Sequence, residues 1–124
     1  MDIVCGAILR TSEGSVLLQD HVKSGMWSIP VGRVEEDEHP LEALCRELRE
    51  ELGIVALKAV EVADRVLQVP NYGPVRSIVF HVDRWYGDIK NLEPDKCKEL
   101  RYVERELPGD VTEITKLAWE CLWW

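Results

Sequence analysis

A mixed β-sheet held between helices, an α/β fold in the form of an α/β/α sandwich, is what the order of segments predicts for this chain. Three observations carry that expectation. Strand-like runs come first, a helix with one apolar stripe follows at 40–52, and further strands and a last helix complete the chain. Both helices present an apolar stripe, so each has a sheet face to cover. With 124 residues, 46% of them hydrophobic, the chain can bury roughly two thirds of its unfolded surface. One domain over 1–124 is expected, because no repeat, low-complexity tract or linker interrupts it.

Each element has a local reason. Ile3 to Arg10 reads as a strand, Glu13-Gly14 as a hairpin turn, and Val16 to Gln19 as its return strand. Trp27 to Val31 is a short strand. From Pro40 to Leu52 the side chains Leu41, Leu44, Cys45, Leu48 and Leu52 recur at helical spacing. Pro40 suits the first helical position, His39 falls at the N-cap, and Gly53 suits the left-handed residue that ends a helix. Ala56 to Val69 is a long strand, Asn71-Tyr72-Gly73-Pro74 a turn, and Val75 to Trp85 the hairpin partner, with Phe80 and Trp85 expected on opposite faces. A polar loop from Gly87 to Lys98 leads to a strand at Leu100 to Val103, and Pro108-Gly109-Asp110 introduces a helix from Val111 onward. Val111, Ile114, Leu117, Cys121, Leu122 and Trp124 make its stripe, with Trp119 and Trp123 at the edges. That is more apolar surface than one helix face normally hides, so the stripe serves either a homodimer contact or the chain's own sheet.

Charge and cysteines narrow the classes. A net charge of −8 argues against a nucleic-acid partner, which draws on clustered Lys and Arg. Cys5, Cys45, Cys97 and Cys121 form no C-x-x-C pair and read as free thiols in a reducing cytoplasm. No apolar run approaches a spanning helix, and no leader is evident, so neither membrane insertion nor secretion is expected.

The chemistry sits in one register: Gly32, Glu38, Arg46, Glu47, Leu48, Glu50, Glu51, Gly53 and Ile54, or G-x5-E-x7-R-E-U-x-E-E-x-G-U with U aliphatic. At average residue frequencies such a match arises by chance well under roughly once in a million starting points. Glu47, Glu50 and Glu51 stand at i, i+3 and i+4 on one helix face, where three carboxylates repel one another unless a cation joins them. Hard oxygen ligands of this kind suit Mg²⁺, with Mn²⁺ as a substitute. Arg46, on the flank of the cluster, can fix the rotamer of one glutamate. A solvated acidic helix face would explain the carboxylates alone, but not their register with Gly32, Glu38 and Gly53.

The pattern resembles the Nudix box, the signature of hydrolases that cut diphosphate linkages with divalent cations, and the rest of the chain fits that family's sandwich. The resemblance implies that Glu50 and Glu51 bind metal, that Glu47 is a third ligand or the general base, and that Arg46 orients a catalytic glutamate. It also implies that the Val31 carbonyl is a ligand, although most relatives read P-G-G where this chain has Pro30-Val31-Gly32. The stretch Asn91-Leu92-Glu93-Pro94-Asp95-Lys96-Cys97, with Tyr102 beyond it, is similar to one in MutT-like nucleoside triphosphate diphosphatases. By that likeness Glu93 adds a carboxylate to the cluster or acts as base, Glu99 being its substitute, while Lys96 and Asn91 touch substrate or simply order a solvated loop.

Several further residues are candidates for holding substrate. Arg33 follows the box glycine, where relatives place a cation near the phosphates. Many MutT-like members carry an arginine at the end of the second strand; here Asp20 and His21 stand there, leaving Lys23 as the replacement. Trp27 and Tyr72 can stack on a base, the alternative for Trp27 being a core or rim position. The implied reaction is hydrolysis of a nucleoside triphosphate, an ordinary or oxidised dNTP, to monophosphate and pyrophosphate. Pro70 and Tyr72 sit at offsets resembling the ADP-ribose and diadenosine polyphosphate branches, which, with nucleotide sugars, are the alternative substrates. A non-catalytic nucleotide sensor would not need every box carboxylate, and all are present.

Overall fold

Pro30 divides the chain's third strand-like run and thereby creates two sheets from what reads as one. Proline has no N–H to give a ladder. In the computed structural model, which describes residues 1–122, the run separates into β3 (Trp27–Ser28) and β4 (Val31–Arg33). The other elements are β1 (Asp2–Leu9), β2 (Val16–His21), α1 (Pro40–Leu52), β5 (Val55–Val69), β6 (Gly73–Tyr86), β7 (Cys97–Val103) and α2 (Glu113–Glu120). The expected mixed sheet has the order β4-β1-β6-β5, with β1 and β6 parallel and the other pairs antiparallel. A second sheet, β3-β2-β7, is antiparallel throughout.

The sequence suggested a hairpin between the first two strands. Instead of a ladder they share, among the described residues, an isolated bridge, Arg10 with Val16, beside the turn hydrogen bond from the Thr11 N–H to the Ser15 carbonyl, and β2 pairs in the second sheet. The first two strands therefore sit in different sheets.

Alternation along the central strands builds two cores. Cys5, Ala7 and Leu9 of β1, Ile78, Phe80 and Val82 of β6, and Leu17 of β2 face Leu44, Leu48 and Leu52 of α1. Ile8, Val79, Val16 and Leu18 point the other way, to Ile114, Leu117 and Ala118 of α2. Burying a leucine such as Leu48 contributes about 1.5–3 kcal/mol. The apolar stripe of α2 is thus covered by the chain's own strands, and Trp119 closes its edge with an indole N–H donated to the Arg105 carbonyl at 2.8 Å. Trp123 and Trp124, counted in that stripe from sequence, lie outside the described residues.

Two details differ from simple alternation. Asp83 is an extra residue in β6 against β5, since Lys58 faces Arg84 while its neighbour Ala59 faces Val82. This bulge turns Trp85 onto the same core as Phe80, where strict alternation would have put them apart. At the start of α1, His39 caps better than its residue type suggests: its Nδ1 accepts from the Leu41 N–H at 3.3 Å, and Glu42 accepts from the His39 N–H at 3.0 Å. Gly53 ends the helix at φ 70°. All four cysteines are free thiols, Cys5 and Cys97 being buried. Among the described residues no helix is long and apolar enough to cross a membrane.

Candidate active site

Arg46 organises the acidic face of α1. Its guanidinium grips Glu38 with two nitrogens, at 2.8 and 3.1 Å, and donates to Glu47 at 2.8 Å and to the Arg33 carbonyl at 3.1 Å. Glu50 lies 3.6 Å away on the outer side. The guanidinium of Arg46, with the Glu35 N–H, holds the Glu38 carboxyl down to about 2. The register of the sequence motif is now physical: Glu38 anchors the arginine, and the arginine anchors Glu47.

Gly32 serves the same arrangement by its lack of a side chain. A Cβ there would overlap Glu47 Cγ outright, so the glutamate crosses β4 only because glycine leaves the space. Val31 has no left-handed backbone, and neither does Gly32. The departure from P-G-G at Val31 therefore costs no backbone strain.

Glu51 is buried, at 8% exposure, an unusual place for a carboxylate. Burial pushes its carboxyl up to about 9, helped by a hydrogen bond with Glu47 and by the nearby charges of Glu47 and Glu93. Gln19 opposes this by donating Nε2–H to Glu51 Oε1 at 3.0 Å. These side chains line a recess of about 200 Å³ together with His21, Val31 and Asn91. Among the described residues no three acidic, His or Cys groups already converge as a finished ion cage. Glu47 is turned to Arg46, and Glu50, with a side chain 53% exposed, stands at the rim. The donor set nonetheless fits Mg²⁺ or Mn²⁺: crowded hard oxygens, one carboxylate paying a burial penalty that a cation would cancel, and a buried Gln19 Oε1 without a partner.

The recess continues into a longer cleft. His21 and Val31 are shared with a section of about 650 Å³ that also touches Lys23, Ser28 and Tyr72. Tyr72, Thr112 and Ile114 are shared in turn with an apolar section of about 480 Å³ walled by Val4, Met26, Pro70, Val75 and Val111. One end is acidic, the other apolar.

The sequence candidates distribute unevenly over this cleft. Glu47, Glu51, Glu93, Asn91, Lys96 and Val31 meet at the acidic end, Lys23 lines the middle, and Tyr72 reaches from the middle to the apolar end. Asn91 orders its own loop, giving Nδ2–H to the Cys97 carbonyl at 2.8 Å and accepting from the Glu93 N–H at 3.2 Å. Lys96 lies 3.6 Å from Glu93. Arg33, expected from its position after Gly32 to be a cation near the phosphates, has its side chain away from the box carboxylates. Alternation along β4 sends it to the apolar end, where it donates to Asp2 at 2.6 Å and to the Tyr72 hydroxyl at 3.2 Å. Trp27 does not line the cleft; its ring is covered by Arg101 at 4.5 Å and packs on the α2-side core.

Sequence reasoning passed over Gln19, Asp2 and Thr112. For Gln19 a signal existed: it is the polar residue that closes the apolar run Val16-Leu17-Leu18, yet it is only 3% exposed. The other two come together only through the fold.

The α/β sandwich with a carboxylate-bearing helix at the head of such a cleft is the architecture of a Nudix domain. The chain belongs to the NUDIX domain family, whose model matches residues 2–120. It is 46% identical over 112 residues to a zebrafish (Danio rerio) protein named 8-oxo-dGDP phosphatase NUDT18, which covers 85% of this chain and 33% of that protein. It is 33% identical over 90 residues to the CTP pyrophosphohydrolase of Escherichia coli K12, covering 69% of the chain and 61% of that enzyme. The chain thus spans a third to under two thirds of these two relatives. A MutT NUDIX hydrolase from Burkholderia pseudomallei superposes with a TM-score of 0.85 at 28% identity, covering 98% of this chain and 97% of that one.

Proposed function

We propose that this domain is a divalent-cation-dependent hydrolase of the diphosphate linkage in a nucleoside triphosphate, an ordinary or oxidised dNTP, releasing monophosphate and pyrophosphate. The observation that carries the reading is the two-ended cleft. Its acidic end suits a cation-bridged diphosphate, and its apolar end suits a base.

Glu47, Glu50, Glu51 and Glu93, with the Val31 carbonyl, would hold Mg²⁺ or Mn²⁺. When bound, the cation would neutralise diphosphate oxygens and increase the acidity of the attacking water. The residues do the rest. Arg46 fixes Glu47, so that a carboxylate stands ready beside the recess; Glu47 or Glu93 accepts the proton from the water. Water then attacks one phosphorus of the α–β linkage in line, the P–O bond to the bridging oxygen breaks, and that oxygen leaves on the other phosphoryl group, so that monophosphate and pyrophosphate separate. Lys23 and His21 flank the path between the two ends, where a polyphosphate chain would run. Tyr72 offers its ring and Arg33 its guanidinium at the base end.

A second reading is favoured by the zebrafish relative's name: a nucleoside diphosphate substrate, oxidised at the base, giving monophosphate and inorganic phosphate. Release of phosphate and pyrophosphate across ordinary and oxidised nucleoside di- and triphosphates, ADP-ribose, nucleotide sugars and diadenosine polyphosphates decides among them. Pyrophosphate from a triphosphate is the expected product. Preference for ADP-ribose over every tri- and diphosphate would overturn both readings.

A further inference from the structure

Gln19 is a buried polar side chain at the acidic end that no role above absorbs. It sits on β2, opposite α1, at 3% exposure, and its carboxamide projects into the recess with Glu47 and Glu51. One half of that amide is engaged, Nε2–H donating to Glu51 Oε1 at 3.0 Å. The other half, Oε1, is buried and has no hydrogen-bond partner among the described residues. A buried amide oxygen left unmatched loses its hydration without compensation, and native proteins rarely tolerate one without a ligand or water to satisfy it. An aliphatic residue would continue the run Val16-Leu17-Leu18 at no such cost.

We propose that Gln19 is a positioning residue for the cation site: it holds one Glu51 oxygen from across the sheet, so that the other faces the recess, and offers its own Oε1 to the hydrated ligand there. This rests on the reading of the acidic end as a cation site. The amide is suited to the task because it donates to Glu51 without adding charge. A lysine there would compete with the cation, and a glutamate would lose the donor and add repulsion. Arg46 is occupied by Glu38, Glu47 and Glu50, so the neutral donor that reaches Glu51 is Gln19. Hydrogen bonds that orient a metal ligand typically change affinity or activity by 10–100-fold when removed.

The test is Mn²⁺ binding to the full chain without substrate, read by the electron paramagnetic resonance of free Mn²⁺, for wild type, Gln19→Met, Glu51→Gln and the double variant. Methionine keeps the length and volume of the side chain while deleting both polar functions. The expected result is a Kd at least tenfold weaker for Gln19→Met, and a clearly smaller loss, from the Oε1 contact alone, when Gln19→Met is added to Glu51→Gln. Unchanged Mn²⁺ affinity in folded Gln19→Met overturns the proposal. So does an equal loss in the presence and absence of Glu51, which would mark a general packing defect. If Gln19→Met does not fold, Gln19→Asn withdraws the amide by one methylene, and wild-type affinity in that variant overturns the proposal as well. Wild type that binds no Mn²⁺ refutes the cation-site reading itself, a different failure from wild-type binding that Gln19→Met leaves intact.

Discussion

The two ends of the cleft are assembled in different ways. At the acidic end most of the carboxylates come from one helix: Glu47, Glu50 and Glu51 share α1 with Arg46, which holds Glu47, while Gln19, His21, Val31, Asn91, Glu93 and Lys96 complete the wall from other segments. The apolar end has no such centre. Val4 comes from β1, Met26 from a loop, Arg33 from β4, Tyr72 and Val75 from the β5–β6 hairpin, and Val111 from the approach to α2. The difference teaches where chemistry and selectivity separate: geometry that must be fixed is written into a single rigid element, while the surface that chooses a base is spread over many segments.

Substitutions at the acidic end should act on turnover. Glu47→Gln and Glu50→Gln are each expected to lower kcat by about 10²-fold or more with circular dichroism unchanged. Near-wild-type turnover in either would remove that residue from the mechanism. Glu51→Gln has an additional signature in the cation-free protein. The folded-state pKa of Glu51 is raised from 4.5 to about 9, so the stability it permits is complete below pH 4.5 and is lost as pH rises toward 9. Glu51→Gln should therefore melt higher than wild type near pH 9 without cations, by several degrees, and lose the gain in Tm that Mg²⁺ gives wild type. A lower Tm than wild type under those conditions would contradict the burial penalty.

Changes at the apolar end should instead act on binding. Tyr72→Ala is expected to raise KM about tenfold with kcat within threefold, the loss of one ring against a base. A selective fall in kcat would place Tyr72 with the chemistry. Smallest of all, Trp27→Phe should leave kcat/KM within about twofold, because the ring lies beneath Arg101 and outside the cleft. A large effect on KM there would mean that the cleft extends to the α2-side core.

How much the sequence discloses follows the same division. Helix α1 was legible to its end residues, because Pro40, the leucine stripe and Gly53 are local signals. The acidic register was legible because it is nearly contiguous. The split into two sheets was not, since it depends on Pro30 directing two halves of one run to different partners. The direction of the Arg33 side chain was not legible for a related reason: adjacency to Gly32 says nothing about which way β4 turns each side chain. That Trp85 shares a face with Phe80 was not legible, because the bulge at Asp83 interrupts the alternation that would set them apart. Gln19 became meaningful only when Glu51 was found 32 residues away in sequence but 3.0 Å away in space.

Anomalous scattering from crystals soaked in Mn²⁺ tests the central claim most directly, that the α1 carboxylates gather a divalent cation at the head of the cleft. The account predicts a peak in the recess bounded by Glu47, Glu51 and Glu93, with Glu47 and Glu50 swung toward it. A peak elsewhere on this acidic surface with that recess empty would contradict it.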